Sequence, residues 1–358
     1  MSNLYNIDSH KLQYHPERVA GWLKDGSYNS GGPIFVEISL SNVCNHNCVF
    51  CGLDFINQKK EKWKLNFNKL KESIKSMAEI GVKSIMFAGS CEPLLYKELP
   101  SIIEYCAELN IDTALTTNFI PVTLKSLNVY LKHCKWIKVS INGGDRASYN
   151  RIHCKDDYWK ALDNLMLASE LKEQKGYKCT IGTQLVLLDE NARSVEKLIA
   201  ESKLRGLNYC VIKPYSQHIQ SINSIKIAYK KMMNDLVPLR CYSNDKFKVI
   251  FRTDSMVNWD KQELGFDKCY ATPNFWAYIE ADGNVYPCSV FIGKEKFLLG
   301  NINDKTFKDL WLSEKRKEMS EYILNNHDMK ECRINCRMKY VNQYLERLVN
   351  PSQHDSFI

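Results

Sequence analysis

From Ile34 to about Pro214, short apolar runs alternate with amphipathic stretches, and this alternation restricts the chain more than any other feature. Ile34–Leu40 is compact and β-rich. Phe67, Leu70, Ile74, Met77 and Ala78 then recur at helical spacing, with Gly81 as a stop signal. Val82–Ala88 predicts the next strand, Ile102–Leu109 the next helix and Asp112–Thr116 a third strand. Trp136–Ile141, Thr180–Leu187 and Leu207–Lys213 continue the series, with helical segments around Tyr158–Leu171 and Val195–Leu204. Six βα units in a row specify an α/β fold, a parallel sheet curled into a partial (β/α)6 TIM-like barrel. Chemistry in such barrels sits on the loops after the C-terminal ends of strands.

After Tyr215 the pattern breaks. Ser216–Ser224 is polar, Ile225–Leu239 predicts a helix and Lys246–Arg252 a strand. Cys269, Cys288, Cys332 and Cys336 follow among aromatic and glycine-bearing turns, with few long apolar runs, so bound metal is expected to staple this region. The chain divides into an extension (1–33), the barrel (34–215), a connecting segment (216–268), a small metal-stapled domain (269–340) and a tail (341–358). No signal peptide opens it and no apolar run is long enough to span a bilayer, which predicts a cytoplasmic protein with no membrane partner. Its 14 cysteines are then not a disulfide framework, because that compartment keeps thiols reduced. The net charge of +8 is modest; Lys59, Lys60, Lys62 and Lys64 read as a solvated loop, the alternative being contact with a phosphate-bearing substrate or nucleic acid.

Cys44-Asn-His-Asn-Cys48-Val-Phe-Cys51 lies directly after the first predicted strand. Three thiolates at this spacing can each ligate one corner of a 4Fe–4S cube, leaving the fourth iron open to a small ligand that chelates through an amine and a carboxylate. A zinc site would recruit a fourth Cys or His, and His46 sits inside the loop, between two ligands and adjacent to neither.

This CxxxCxxC spacing, with an aromatic residue before the third cysteine, resembles the defining motif of the radical S-adenosylmethionine (SAM) superfamily. The resemblance implies that Phe50 lies near the adenine and that Gly89-Ser90-Cys91-Glu92-Pro93 matches the acidic motif that binds the SAM amino group. It also implies SAM contacts from Asn118, Ser140, Asn142 and Gln184, each of which read alone is a strand-end cap or turn. Cys91 stands where the family usually has glycine; it is either a tolerated small residue or a thiol hydrogen donor. The set Cys269, Gly283, Cys288, Cys332 and Cys336 resembles the family's SPASM/twitch extension. Four cysteines there, rather than seven, imply one fully ligated auxiliary 4Fe–4S cluster, with a structural zinc site as the alternative. Cys106 and Cys134 fall in predicted helices and read as packed thiols.

The resemblance covers Ile34 to Arg337 and implies that SAM is cleaved to a 5′-deoxyadenosyl radical, with electrons from a reductase such as flavodoxin or ferredoxin. An auxiliary cluster that accepts an electron makes the net reaction an oxidation, expected here of a small carbohydrate-like or nucleotide-like metabolite. A base would then be needed, and Lys213 and Tyr215, in Lys-Pro-Tyr at the end of the sixth strand, are the candidates; Lys213 also suits a SAM carboxylate or a substrate phosphate. The alternatives are an epimerase or peptide maturase, with Cys91 as hydrogen donor, and a zinc-dependent nucleic-acid-binding module. The 33 residues before the first strand are too few for a leader-binding domain, which favours a small molecule. The ending Asn350-Pro351, His354, Phe357-Ile358 is expected to fold back over the site.

Overall fold

The computed structural model describes residues 5–25 and 31–357. Ten strands form one sheet: β1 (Phe35–Ile38), β2 (Ser84–Phe87), β3 (Asp112–Thr117), β4 (Cys134–Ser140), β5 (Thr180–Val186), β6 (Tyr209–Lys213), β7 (Lys248–Phe251), β8 (Trp276–Ile279), β9 (Asn284–Tyr286) and β10 (Gly300–Asn301). Their order is β10-β9-β8-β1-β2-β3-β4-β5-β6-β7. β1 to β7 pair in parallel, β8 lies parallel to β1 on its other side, and β9 and β10 return antiparallel. The sheet is open, a partial barrel.

Side chains alternate across each strand, so one parity faces the helices and the other the interior. Val36, Ile38, Ile85, Phe87, Leu115, Ile137, Val139 and Ile212 take the helix-facing parity and are fully buried. Phe35, Glu37, Met86, Thr116, Trp136, Lys138, Gln184 and Lys213 take the other and line the interior cavity. The helix Phe67–Glu79 shows how the outer layer is specified. Asn66 caps it by accepting from the amides of Asn68 and Lys69, and Leu70, Ile74 and Met77 bury one stripe.

Five sequence expectations change. Lys248–Phe251 does not stand in a separate connector: it pairs in parallel with β6 and adds a seventh strand to the barrel. Cys134 is not helical. The helix Leu124–His133 passes into β4 with no loop between, and Cys134, already extended, is the first strand residue and is buried. The helix expected over Ile225–Leu239 is shorter, Tyr229–Leu236, and continues as a 3-10 turn through Pro238, whose missing N–H suits only the start of a helical segment. At the C-terminus, the helix Lys339–Val349 runs across the expected boundary at 340, and its Leu345 packs with Leu12, Val19 and Trp22. Residues 350–357 are exposed and held by Arg347 on Asp355, so this tail does not cover the site; Ile358 lies outside the described residues.

The polar segment 216–224 is pinned at several points. Asp54, the first residue of the short helix Asp54–Asn57 that follows the cysteine loop, accepts from the amides of Ile222 (3.0 Å) and Asn223 (2.7 Å) and from the Ser221 hydroxyl (3.0 Å). On the other side Gln220 donates to the carbonyl of Ile292 at 2.8 Å, and the His218 ring lies 3.0 Å from that of Ser289. The segment therefore bridges the first cysteine loop and the C-terminal region. Asp54→Ala leaves these donors without their acceptor and is expected to lower unfolding stability by about 1–3 kcal/mol. Denaturant titration measures that loss, and hydrogen exchange should show it concentrated at the Ile222 and Asn223 amides.

Candidate active site

Cys44, Cys48 and Cys51 sit partly buried on the loop that leaves β1. The loop is seated on the end of the helix Arg146–His153: the amide of Asn47 donates to the carbonyl of His153 (3.3 Å) and that of Val49 to Ile152 (3.0 Å). His153 is fully buried and stacks on Tyr149. Its Nε2 accepts from the backbone amide of Asn142 at 3.1 Å, which assigns the ring proton to Nδ1. That Nδ1 lies 3.4 Å from the sulfur of Cys48 and 3.1 Å from Nδ1 of His46, whose Nε2 in turn lies 3.1 Å from the carboxylate of Asp157. Asp157 thus holds His46, and His46 Nδ1 and the Cys48 sulfur share the one His153 Nδ1–H. Burial pushes the Cys44 thiol up to about 12 and raises Cys48 and Cys51 as well, which disfavours the bare thiolates; binding a metal would release these protons.

Glu92 is buried and already engaged. One oxygen accepts from the Leu94 amide (3.1 Å) and the Thr117 hydroxyl, the other from the Asn118 amide (2.7 Å). Burial pushes its carboxyl up to about 7. Glu92 therefore pins the turn after β2 to the end of β3, and reaches a ligand only through its remaining lone pairs. Asn118 donates to Asn45 at 2.7 Å, tying the same junction to the cysteine loop. Ser90 is also tied up, donating to Glu280 at 2.6 Å beside Ser39. Gly89 has φ +102°, and a Cβ there would stand 2.6 Å from the Tyr278 hydroxyl, so no other residue fits. The Cys91 thiol lies 3.9 Å from the Ser39 hydroxyl and does not line the interior cavity; burial pushes it up to about 11.

Cys269, Cys288, Cys332 and Cys336 line one small apolar cavity with Phe291, Ile323 and Met338. The Asn342 amide donates to the Cys269 sulfur (3.7 Å) and the Met338 backbone N–H to that of Cys336 (3.4 Å). Among the described residues, the only three His, Cys, Asp or Glu ligand atoms lying within 4.8 Å of one another belong to His46, Cys48 and His153, whose two imidazoles are engaged in hydrogen bonds. Neither cysteine set gathers three sulfurs so tightly, whereas zinc, with Zn–S near 2.3 Å, holds its sulfurs about 3.8 Å apart. The wider spread fits a cubane cluster, three-cornered at the first site and four-cornered at the second.

Between them lies a cavity of about 470 Å³. It brings together Phe50, Cys51, Gly89, Gln184, Lys213 and Tyr215, but not Ser90, Glu92, Asn118, Ser140 or Asn142. Asn142 is a buried hub, accepting from the Val186 amide at 2.7 Å and holding His153. The Tyr215 hydroxyl is occupied by Gln217, and burial pushes it up to about 12. Burial, reinforced by Arg252, Lys138, Arg333 and Arg337, brings Lys213 down to about 7. Sequence reading missed Glu37, Lys138, Arg252, Arg333 and Arg337 as cavity residues. Glu37 and Lys138, charged positions inside otherwise apolar strands, carried a signal that strand parity exposes. A wider depression of about 630 Å³ beside Cys332 lies at the surface and holds none of the expected SAM contacts.

Residues 38–201 match the family model of the radical SAM superfamily, and residues 269–337 match that of an iron–sulfur cluster-binding domain, SPASM. The chain belongs to the radical SAM superfamily. Among curated relatives, an S-adenosylmethionine-dependent nucleotide dehydratase of Lacinutrix mariniflava is 28% identical over 67% of this chain and 52% of its own length. The sporulation killing factor maturation protein SkfB of Bacillus subtilis is 23% identical over 80% of this chain and 66% of its own. The chain thus spans about half of the first relative and two thirds of the second. Among solved structures, Streptococcus suis SuiB bound to S-adenosylmethionine superposes with a TM-score of 0.66 at 16% identity, over 95% of this chain and 79% of that one. The structure titled anSMEcpe with bound AdoMet gives 0.60 at 20%, over 87% and 85%. These two likenesses are of fold.

As a radical SAM protein with a SPASM domain, the chain holds SAM on a 4Fe–4S cluster and carries further cluster ligands at its C-terminus. No helix among the described residues is long and apolar enough to cross a membrane. The single His153 Nδ1–H, shared between the Cys48 sulfur and His46 Nδ1, would stabilise the more electron-rich state of the first cluster to the extent that it reaches the sulfur, since hydrogen bonds to cluster sulfurs raise the potential. His153→Phe is expected to lower the potential of that cluster with the SPASM centre unmoved, measured by redox titration followed spectroscopically.

Proposed function

We propose that this chain is a radical SAM oxidoreductase that dehydrogenates a small carbohydrate-like or nucleotide-like metabolite, with the SPASM centre as electron acceptor. The observation that carries the reading is that one cavity is reached by both cluster regions: its lining takes Phe50 and Cys51 from the first cysteine loop and Arg333, Asn335 and Arg337 from the turn that holds Cys332 and Cys336. The names of the nucleotide dehydratase and of a GTP 3′,8-cyclase of Psychromonas ingrahamii, 26% identical over 37% of this chain and 39% of its own length, support a nucleotide-like substrate. Fourteen unpaired cysteines suit the reducing cytoplasm and a reductase such as flavodoxin or ferredoxin.

For a carbinol carbon, the bound groups supply a 5′-deoxyadenosyl radical to take the hydrogen atom and a cluster to take the remaining electron. The chain supplies the rest. Phe50, Gly89 and Gln184 line the side of the cavity at the first cysteine loop and are the residues that would seat SAM. Lys213 takes the hydroxyl proton: held down to about 7, it offers a free amine near neutral pH, which the Tyr215 phenol does not. Asn335 donates to the Tyr215 carbonyl (3.1 Å) and Ser216 to that of Ile334 (3.3 Å), so the turn bearing two cluster ligands is fixed directly to the end of β6.

Anaerobic incubation with SAM, dithionite and a panel of sugars and nucleotides, read by mass spectrometry, tests this reading. The expected product has lost two hydrogens in step with 5′-deoxyadenosine formation. A folded Cys269→Ala/Cys288→Ala variant should still cleave SAM yet form no oxidised product. Lys213→Gln should keep SAM cleavage and lose about 10²- to 10⁴-fold in product formation, the usual range for a missing base. Normal ketone yield from the cluster-deficient variant contradicts the mechanism, and solvent deuterium at the reacting carbon would favour epimerisation.

A further inference from the structure

The cavity between the cluster sites is lined by five cationic side chains, Lys138, Lys213, Arg252, Arg333 and Arg337, and by one carboxylate, Glu37. Two of the cations have acidic partners: Arg337 pairs with Glu37, and Arg252 donates to Asp8 at 3.1 Å. Each of those guanidinium groups keeps further N–H donors beyond that contact. Among the described residues, the other three form no ion pair with a carboxylate. Among the described residues, Lys138 lies over the ring of Trp136 with the Glu37 charge weakly attracting it, and Lys213 and Arg333 make no hydrogen bond or ion pair.

Cations crowded into one half-buried space repel one another, and the cost is visible in the chain itself. Burial, with Arg252 and Arg337 next, brings Lys138 down to about 8. A fold retains a cluster with more cations than internal counter-ions where a ligand brings the balance. SAM carries a single carboxylate beside a sulfonium and an amino group, so it leaves most of these charges unanswered. Arg333 also lies near the cluster thiols at Cys288, Cys332 and Cys336, but Lys138 stands on β4, away from both cysteine sets in sequence.

We infer that Lys138, Arg252, Arg333 and Arg337 form a subsite for the phosphate groups of a phosphorylated small-molecule substrate, a nucleotide being the class that also fills the cavity. The inference deepens the proposed function and rests on it for the placement of the reacting carbon, not for the binding of the anion. Arginine forks match phosphate oxygens two at a time, and Lys138 adds a point charge. Lys213, at the end of β6, stays free to act on the hydroxyl. The exposed group Lys59, Lys60, Lys62 and Lys64 does not line this cavity and takes no part.

Lys138 and Arg333 are the positions to change, because neither holds a carboxylate whose loss would disturb the fold. Anaerobically reconstituted protein is titrated calorimetrically with inorganic tripolyphosphate, ATP, GTP, ribose 5-phosphate, adenosine and an oligoglutamate peptide, with and without SAM. Iron content and the visible spectrum of each variant are measured on the same samples. Tripolyphosphate and at least one nucleotide should bind with SAM present, adenosine should not, and Lys138→Gln or Arg333→Gln should weaken binding about tenfold each, with iron unchanged. Lys138→Arg should retain most of the affinity. Ribose 5-phosphate outcompeting the nucleotides would keep the phosphate subsite and replace the nucleotide by a sugar phosphate. Loss of tripolyphosphate binding on adding SAM would assign the cations to the SAM carboxylate and overturn the inference. So would equal binding of ATP and adenosine, a preference for oligoglutamate, or undiminished affinity in the double variant. These titrations read binding alone, so they can fail while the oxidation stands, or succeed while it falls.

Discussion

The parallel pairing of Trp276–Ile279 with Phe35–Ile38 is the constraint on which the rest depends. It places a strand from the SPASM region inside the barrel sheet, beside the strand that feeds the first cysteine loop. From it Tyr278 and Glu280 reach the Gly89–Glu92 turn, where Glu280 accepts from the Ser90 hydroxyl and from its neighbour's amide at Ala281. Arg337, one residue beyond the last cluster cysteine, closes on Glu37 of β1. The two cysteine sets are thus parts of one core, and Val285, Phe307 and Trp311 pack in the same apolar cluster as Val36 and Ile38.

Buried polar groups divide into two kinds. Glu92, Glu280, Asn142, Asn118 and Asp54 have their hydrogen bonds answered within the chain, and they join loops that carry cluster ligands or strand ends. Burial pushes both Glu92 and Glu280 up to about 7, a cost that the hydrogen bonds to their oxygens offset. The second kind, the half-buried Gln184, Lys138, Lys213 and Arg333, faces the cavity and, among the described residues, has no protein acceptor or carboxylate in hydrogen-bond or ion-pair contact. Scaffold and ligand-facing groups separate on this criterion better than on residue type.

The motif cysteines and the six-strand series were legible in sequence because each is local: a spacing within eight residues, or a strand with its following helix. What sequence could not show was whether a polar residue at a strand end faces ligand or protein. Asn142 and Glu92 look alike as strand-end groups with Gln184, yet only Gln184 lines the cavity, because the others are claimed by His153, Val186, Thr117 and Asn118 across more than ten residues of chain. Cys134 read as helical since no turn residue marks the passage from His133 into β4. β7 was seen as a strand and given to a connector because its partner β6 lies 35 residues upstream, beyond a polar segment that interrupts the βα rhythm. The cation cluster drew one residue from each of β4, β6 and the start of the helix after β7, and two from the last cysteine turn; no window of sequence contains it.

Two cluster sites of unequal openness in one folded chain are the centre of this account, and electron paramagnetic resonance of the dithionite-reduced, reconstituted protein tests them most directly. Two reduced cubane signals are predicted. One should change shape on adding SAM and vanish in a Cys44→Ala/Cys48→Ala/Cys51→Ala variant; the other should ignore SAM and survive there. A single signal, or two that both respond to SAM, would contradict it.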